Sequence, residues 1–175
     1  MERLALDDIR ARITKDGIRI YEDADFAGMR LAGRVAAEIL DAVAHLVVPG
    51  ATTAVIDDFI TAEIARRGVT SATVGYKGYK HASCISVNHV VCHGIPGPKV
   101  LVDGDILNVD VTVIVDGWYG DTSRMYVAGQ LARKAERLAL RVFPEPPRKA
   151  GLPLSEKIRR APRPPARNHK KRQRA

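Results

Sequence analysis

Two aspartates in neighbouring β-rich runs are the residues of this sequence whose placement most suggests chemistry. Asp110 lies in ILNVDVTVIV (106–115) and Asp121 lies in WYGDTSRMYV (118–127), and Asp116-Gly117 joins the two runs. An Asp-Gly pair between such runs predicts a β-hairpin with a two-residue loop. The first run has one wholly apolar face, which predicts that this face is buried: Leu107, Val109, Val111, Val113 and Val115.

The register of this hairpin brings the two aspartates to the same face. Thr112 then pairs with Asp121 and Asp110 with Ser123, so the aspartates are diagonal neighbours, roughly 7–8 Å apart between backbones. A divalent cation between two such carboxylates would relieve their repulsion. The alternatives are a solvent-facing strand surface, or an Asp121 that serves only the bend around Gly120. Two carboxylates also form an incomplete site, since metal ions such as zinc usually take three or four protein ligands.

A histidine and two tyrosines are further candidates. His93 precedes a Gly-Ile-Pro turn, so its imidazole is either a general acid/base or substrate-binding group, or a turn histidine bonded to backbone. Tyr76 and Tyr79 flank Gly78 in a glycine-rich loop, where they either line an apolar pocket or cover a core edge. Cys84 and Cys92 fit small core positions, and His81 and His89 are interpreted as surface residues. The residue types alone leave these alternatives open.

Helical and extended segments must position these groups. Apolar residues recur near the 3.6-residue period from Asp25 to Val48 and again from about Thr53 to Arg67, which predicts two helices. Residues Ser83 to Val91 predict another strand, and a third helix is expected from Gln130 to about Arg141.

The charge is divided unevenly along the chain. Residues 1–129 hold 13 Lys and Arg against 17 Asp and Glu, whereas residues 130–175 hold 15 against 3, and seven of the ten prolines lie from Pro144 to Pro165. Dense like charge and frequent proline are typical of disorder. We therefore predict a folded domain at 1–141 and a disordered Pro/Arg-rich tail at 142–175. The first residues lack a secretory-signal pattern, and no apolar run is long enough for a membrane span. The two cysteines suggest no disulfide framework. We therefore expect a cytoplasmic protein.

Several motifs, in the same order along the chain, resemble the N-terminal half of bacterial type I methionine aminopeptidases. The resemblance covers about residues 10–141, and one departure is His89, where the family more often has Glu. The matching runs are MRLAG (29–33), GYKGY (75–79), SCISVNHVVCHGIP (83–96), DGDILNVDV (103–111) and GDTS (120–123).

The resemblance implies an α/β (α+β) fold of the pita-bread type, an antiparallel sheet with covering helices in two pseudo-symmetric halves. It implies removal of the N-terminal methionine of nascent proteins, with two divalent metal ions (Co, Mn, Fe or Zn). Asp110 and Asp121 become metal ligands, with Asp121 bridging both ions, and His93 becomes the catalytic imidazole that also contacts substrate. The methionine pocket and a monovalent-cation site would take the remaining matched residues: Tyr76, Tyr79, Cys84 and Cys92 for the pocket, and Asn88 for the cation.

The tail does not match the family's second half, which supplies one ligating His and two ligating Glu. After Asp121 the sequence offers His169 and three glutamates (Glu136, Glu145 and Glu156), none in a matching motif. The tail resembles translation in a shifted frame or a truncated gene. Because these ligands have no counterpart, we expect little or no aminopeptidase activity from the chain as given. The open sheet edge of a half-fold also favours self-association. The alternative is a non-catalytic peptide- or ribosome-binding half-domain, whose basic C-terminal segment, with a net charge of +12 over residues 130–175, would bind polyanions non-specifically.

Overall fold

The computed structural model describes residues 12–132 and 135–136. The tail at 142–175 and most of the third predicted helix lie outside the described residues. The elements, in chain order, are β1 (Arg12–Ile13), β2 (Arg19–Ile20), α1 (Asp23–Val43), a 3-10 turn (Ala44–Leu46), α2 (Thr53–Arg66), β3 (Thr70–Ser71), a second 3-10 turn (Tyr76–Gly78), β4 (Ser83–Val87), β5 (Ile106–Val115) and β6 (Trp118–Val127).

The main sheet is antiparallel and is organised around β5. Strand β6 pairs with β5 along its whole length, while β3 and β4 share the other edge of β5. The predicted register is confirmed, since Thr112 pairs with Asp121 and Asp110 pairs with Ser123. The loop residues Asp116 and Gly117 both have positive φ, at 48° and 82°, as a two-residue hairpin turn of the I′ type requires.

One face of this sheet is the core face, against which α1 and α2 pack. Every second residue of β5 from Leu107 to Val113 is completely buried there, as the alternating pattern predicts. The helices contribute the small and branched side chains that meet this face: Ala36, Ile39, Leu40 and Val43 from α1, and Ile56, Ile60 and Ile64 from α2.

Helix α1 lies on β6 at backbone distance. A Cβ atom added to Gly120 would lie 2.1 Å from the carbonyl oxygen of Ala32, so only glycine fits at this crossing. Further along, the Tyr126 hydroxyl donates to the Leu40 carbonyl, and Arg124 pairs with Asp41. These contacts fix the orientation of the hairpin relative to α1.

The first helix is shorter at its C-terminal end than predicted. It stops at Val43, because the chain beyond the following 3-10 turn makes backbone bonds to a different segment: Gly50 donates to the Leu101 carbonyl and Leu101 donates to Ala51. A helix to Val48 would leave too little chain to reach this pairing. No helix within the described ranges is long and apolar enough to cross a membrane.

The other predicted ends are closer to what is observed. Helix α2 begins after Thr52, whose side-chain oxygen accepts from the Val55 N–H at 3.3 Å, and Gly68 follows its end with φ of 67°. Strand β4 ends at Val87 instead of continuing to Val91, because Asn88 turns the chain with φ of 53°.

Candidate metal and substrate site

The two aspartates lie on the sheet face opposite α1, which we call the site face. Asp110 is half-buried and Asp121 is exposed. Asp121 Oδ1 accepts a hydrogen bond from the Thr112 hydroxyl at 3.1 Å, and the Asn108 amide lies 3.2 Å from the Ser123 hydroxyl. A row of polar side chains from both strands therefore surrounds the two carboxylates.

The surroundings of Asp110 disfavour its negative charge. Burial raises the pKa of Asp110, and Asp121 raises it further, both through its charge and through a side-chain hydrogen bond. His93 acts in the opposite direction and lowers the pKa of Asp110. A half-buried carboxylate beside a second carboxylate is stabilised in its charged form by a cation, which is the electrostatic requirement of a metal ligand pair.

The chain around His93 returns along the free edge of β4. After the turn at Asn88, the Ile85 N–H donates to the Gly94 carbonyl at 2.7 Å, and the Gly94 N–H donates to the Ser86 hydroxyl at 3.1 Å. A Cβ on Gly94 would lie 2.2 Å from the Ile85 carbonyl oxygen, so this close return requires glycine. It leaves His93 exposed, with φ of 53°, close enough to Asp110 for its charge to affect that carboxylate.

Tyr79 and Cys84 are held together beside the aspartates. The Tyr79 hydroxyl donates to the Ser83 carbonyl at 2.8 Å and lies 3.6 Å from the Cys84 sulfur, and Cys84 is the β4 partner of Asp110. Burial raises the pKa of both the Tyr79 hydroxyl and the Cys84 thiol, and the bond between them raises the pKa of Tyr79 while opposing the shift of Cys84. Both side chains are therefore uncharged near neutral pH and form a wall suited to an apolar group.

Tyr76 and Cys92 lie further out. The Tyr76 ring is 66% exposed on the turn that the Gly75 N–H closes by donating to the Tyr79 carbonyl, and the Lys77 ammonium lies 5.5 Å from its centroid. Cys92 is exposed, so the expectation that it fills a core position is wrong. Its exposure follows from the turn at Asn88, which takes the chain off the sheet before residue 92.

The structure also shows a buried carboxylate, Asp57 of α2, that joins this helix to the start of β4. Asp57 Oδ1 accepts from the Ala82 and Ser83 N–H groups and from the Ser83 hydroxyl, at 3.1, 2.9 and 2.7 Å. Asp57 Oδ2 lies 2.9 Å from His81 Nδ1. His81 is thus bonded to a buried carboxylate, whereas the sequence suggested a surface residue. Partners 24 to 26 residues apart leave no local pattern that could have indicated them.

Asn88 also has a structural partner set. Its amide nitrogen donates to Asp105 Oδ1 at 2.7 Å, and its amide oxygen accepts from the Ile106 N–H at 3.1 Å. These bonds join the turn after β4 to the start of β5. The cation site that the resemblance implied at Asn88 stays a prediction.

The donor set on the site face fits part of a divalent metal centre. Carboxylate oxygens are the ligands that such ions prefer, and Asp110 and Asp121 provide them side by side. Within residues 12–132 and 135–136, no group of three or more His, Cys, Asp or Glu side chains is placed to hold a metal ion. The candidate donors that this face offers are the two carboxylates of Asp110 and Asp121.

The geometry of this half-domain is that of a known metallopeptidase class. The chain belongs to metallopeptidase family M24, whose model matches residues 27–143. It is 50% identical over 121 residues to the methionine aminopeptidase of Rickettsia prowazekii and 48% identical over 126 residues to that of Escherichia coli, in each case over 69% of this chain and 47% of the relative. The chain therefore spans about half the length of the curated relatives it matches.

Solved structures agree with the expected fold. The Rickettsia prowazekii methionine aminopeptidase superposes with a TM-score of 0.67 at 50% identity, over 69% of this chain and 49% of that one. The Thermotoga maritima enzyme gives 0.64 at 34% identity, over 71% and 53%. The described domain thus has the pita-bread aminopeptidase fold, an antiparallel sheet with covering helices, and it corresponds to one half of that fold.

Proposed function

We propose that this chain supplies one half of a dinuclear centre that removes the N-terminal methionine from peptides. The observation that carries the proposal is the Asp110–Asp121 pair, two adjacent carboxylates whose repulsion a cation would relieve, in a chain similar to methionine aminopeptidases.

Six side chains of the site have a role in this proposal. Asp110 and Asp121 hold the metal ions, which would supply Lewis acidity and an activated water when bound. His93 offers an imidazole that binds the substrate and stabilises the reacting carbonyl. Tyr79 and Cys84 bind the methionine side chain, because both are uncharged and lie beside the ligand pair, and Tyr76 contributes from the rim.

Two carboxylates bind a divalent ion weakly compared with a set of three or four ligands. We therefore propose that the chain as given has little or no methionine-releasing activity, and that full activity depends on further ligands from outside the described residues. These would be one histidine and two glutamates, as the resemblance to type I methionine aminopeptidases implies.

Metal binding and activity can be tested separately. Isothermal titration of Mn²⁺ should detect weak binding to the wild-type chain and none to Asp121→Asn. Asp116→Asn is the matched control, since it removes the same charge from the same hairpin at the turn, and it should bind as the wild type does. Equal Mn²⁺ binding by the wild type and Asp121→Asn would refute the ligand assignment.

Activity is measured as methionine release from Met-Gly-Ser with Mn²⁺ or Co²⁺ added. We expect no release above background from the wild-type chain. Release that disappears in Asp121→Asn, but persists in Asp116→Asn, would support the proposed reaction and show that the chain supplies its own remaining ligands.

A further inference from the structure

Two of the side-chain contacts of Tyr79 lead to one residue, Asp57. The Tyr79 hydroxyl donates to the Ser83 carbonyl, and the Tyr79 ring packs edge-on against the His81 ring, with centroids 5.5 Å apart and an interplanar angle of 64°. Both of those partners are in turn bonded to Asp57, Ser83 through its N–H and hydroxyl and His81 through Nδ1. Asp57 is therefore bonded to both residues that contact the Tyr79 side chain in this way.

Asp57 is also placed to hold the beginning of β4. Its side chain is 5% exposed, and it projects from α2 to accept two consecutive backbone N–H groups, those of Ala82 and Ser83. The residue that follows is Cys84. A single buried carboxylate thus joins a helix of the core to the strand end that carries the pocket wall.

The four bonds to Asp57 are of the strong kind. Hydrogen bonds to an ionised carboxylate are shorter and stronger than those between neutral groups, and a buried carboxylate without them would be strongly disfavoured. The loop from Gly75 to Lys80 packs little against the core, because most of its side chains are exposed. Beyond its own backbone bonds and the bond from the Thr73 hydroxyl to the His81 carbonyl, the loop is joined to α2 through the bonds of residues 81–83 to Asp57.

We propose that Asp57 is a positioning residue for substrate, which holds Tyr79 and Cys84 in place as one wall of the pocket. The statement that this wall faces substrate rests on the proposed function. Asp57 touches no reacting group, and it acts through Ser83 and His81.

The two free cysteines provide a direct measurement. Cys84 is half-buried in the wall, whereas Cys92 is exposed and serves as the reference within the same molecule. Alkylation of each by iodoacetamide, quantified by peptide mass spectrometry, gives the ratio of the two rates. Loss of the Asp57 bonds should free Ser83 and Tyr79, expose Cys84 and leave Cys92 unchanged.

The expected series is graded by what each variant can still accept. Asp57→Ala should raise the Cys84 to Cys92 rate ratio about tenfold or more, since a hydrogen bond to a charged group contributes more than a factor of ten to an equilibrium. Asp57→Asn keeps an oxygen that can accept from Ala82 and Ser83, so its ratio should stay within about threefold of the wild type. Asp58→Ala is the matched control, because it removes an exposed carboxylate from the same turn of α2, and its ratio should not change.

Two results would overturn the proposal. One is an unchanged ratio in Asp57→Ala with the far-UV circular dichroism retained. The other is a parallel rise at Cys84 and Cys92, which would show that Asp57 supports the whole domain and not the wall. If Asp57→Ala does not fold, Ser83→Ala decides, since it removes only the hydroxyl bond to Asp57; it should raise the ratio by a few fold, and no rise would count against the proposal.

This measurement is independent of the proposed reaction. It requires neither metal nor turnover, so an absence of Mn²⁺ binding or methionine release would leave the role of Asp57 in holding the wall intact. Conversely, a chain that binds Mn²⁺ through Asp121 but shows an unchanged alkylation ratio would retain the metal site and lose the positioning role.

Discussion

The two faces of the β5–β6 hairpin differ in burial and in charge, although their residues alternate along the same strands. On the core face, Val109 and Val111 are completely buried and meet α1. On the site face, Asp110 is half-buried and Asp121 is exposed, and burial together with the neighbouring Asp121 raises the pKa of Asp110. Side-chain volume determines which residues fit on the core face. Charge and hydrogen bonding determine which residues fit on the site face.

The comparison shows where stability and function are separated in this fold. Removal of volume from the core face leaves a cavity, which costs several kcal/mol in many proteins. Removal of a charge from the site face relieves repulsion and costs the metal ligand instead. Loss of volume on the core face should therefore destabilise the fold, whereas loss of a carboxylate charge on the site face should not.

The largest effect is expected where α1 crosses β6. Gly120→Ala places a methyl group 2.1 Å from the Ala32 carbonyl oxygen, so helix and strand must separate, at a cost of about 3 kcal/mol or more. Thermal unfolding followed by circular dichroism measures it. Gly33→Ala is the control, because its added Cβ meets nothing within 4 Å and alanine is the better helix former; its melting temperature should rise slightly. Equal behaviour of the two variants would show that the crossing is not tightly packed.

Adjacent positions on opposite faces provide the second comparison. Val111→Ala should lower the free energy of unfolding by about 2 kcal/mol, because it opens a cavity in the core. Thr112→Val keeps the shape and removes only the hydroxyl bond to Asp121, so it should cost about 0.5 kcal/mol or less. Chemical denaturation of both variants measures the difference. A cost at Thr112 equal to that at Val111 would contradict the division between the faces.

A buried polar contact on the core face should have an intermediate effect. Tyr126 is 2% exposed and its hydroxyl donates to the Leu40 carbonyl. Tyr126→Phe keeps the ring and should cost about 1 kcal/mol, the usual net contribution of one hydrogen bond. The same denaturation experiment measures it, and Tyr119→Phe, at an exposed ring on the site face, should leave the free energy of unfolding unchanged.

The smallest expected effect has the opposite sign. In EDTA, Asp110→Asn should raise the melting temperature slightly, because it removes a partly exposed like-charge contact with Asp121. The free energy of unfolding should increase by less than about 1 kcal/mol. The amide of this variant can also donate to the Asp121 carboxylate. Asp116→Asn, at the exposed turn, should show no such gain. A loss of stability in Asp110→Asn would mean that the Asp110 charge has a favourable partner in the fold.

The hairpin could be predicted from the sequence almost residue by residue. Its information is local, since the Asp116-Gly117 turn sets the register and the apolar alternation selects the buried face. The end of α1 could not be predicted equally well, because the backbone of Gly50 and Ala51 pairs with Leu101. That partner is some fifty positions away, and no helix rule refers to it.

The residues of the site also differ in how well the sequence predicts their partners. Asp110 and Asp121 belong to one hairpin, so their common face followed from spacing, and the family resemblance added the neighbouring His93, Tyr79 and Cys84. For Asp57 the local sequence indicates no more than an acidic residue near the start of a helix. Its actual partners at 81–83 come from a separate element, and only the packed structure brings them together.

The turn at Asp116-Gly117 has a consequence for the order of assembly. Hairpins with a two-residue loop close in roughly 1–10 μs, and both candidate ligands lie on the strands that this turn joins. The Asp110–Asp121 pair can therefore reach its final spacing before α1 and α2 have packed against the core face. The ligand pair would be an early local product of chain collapse, available before the rest of the domain has folded.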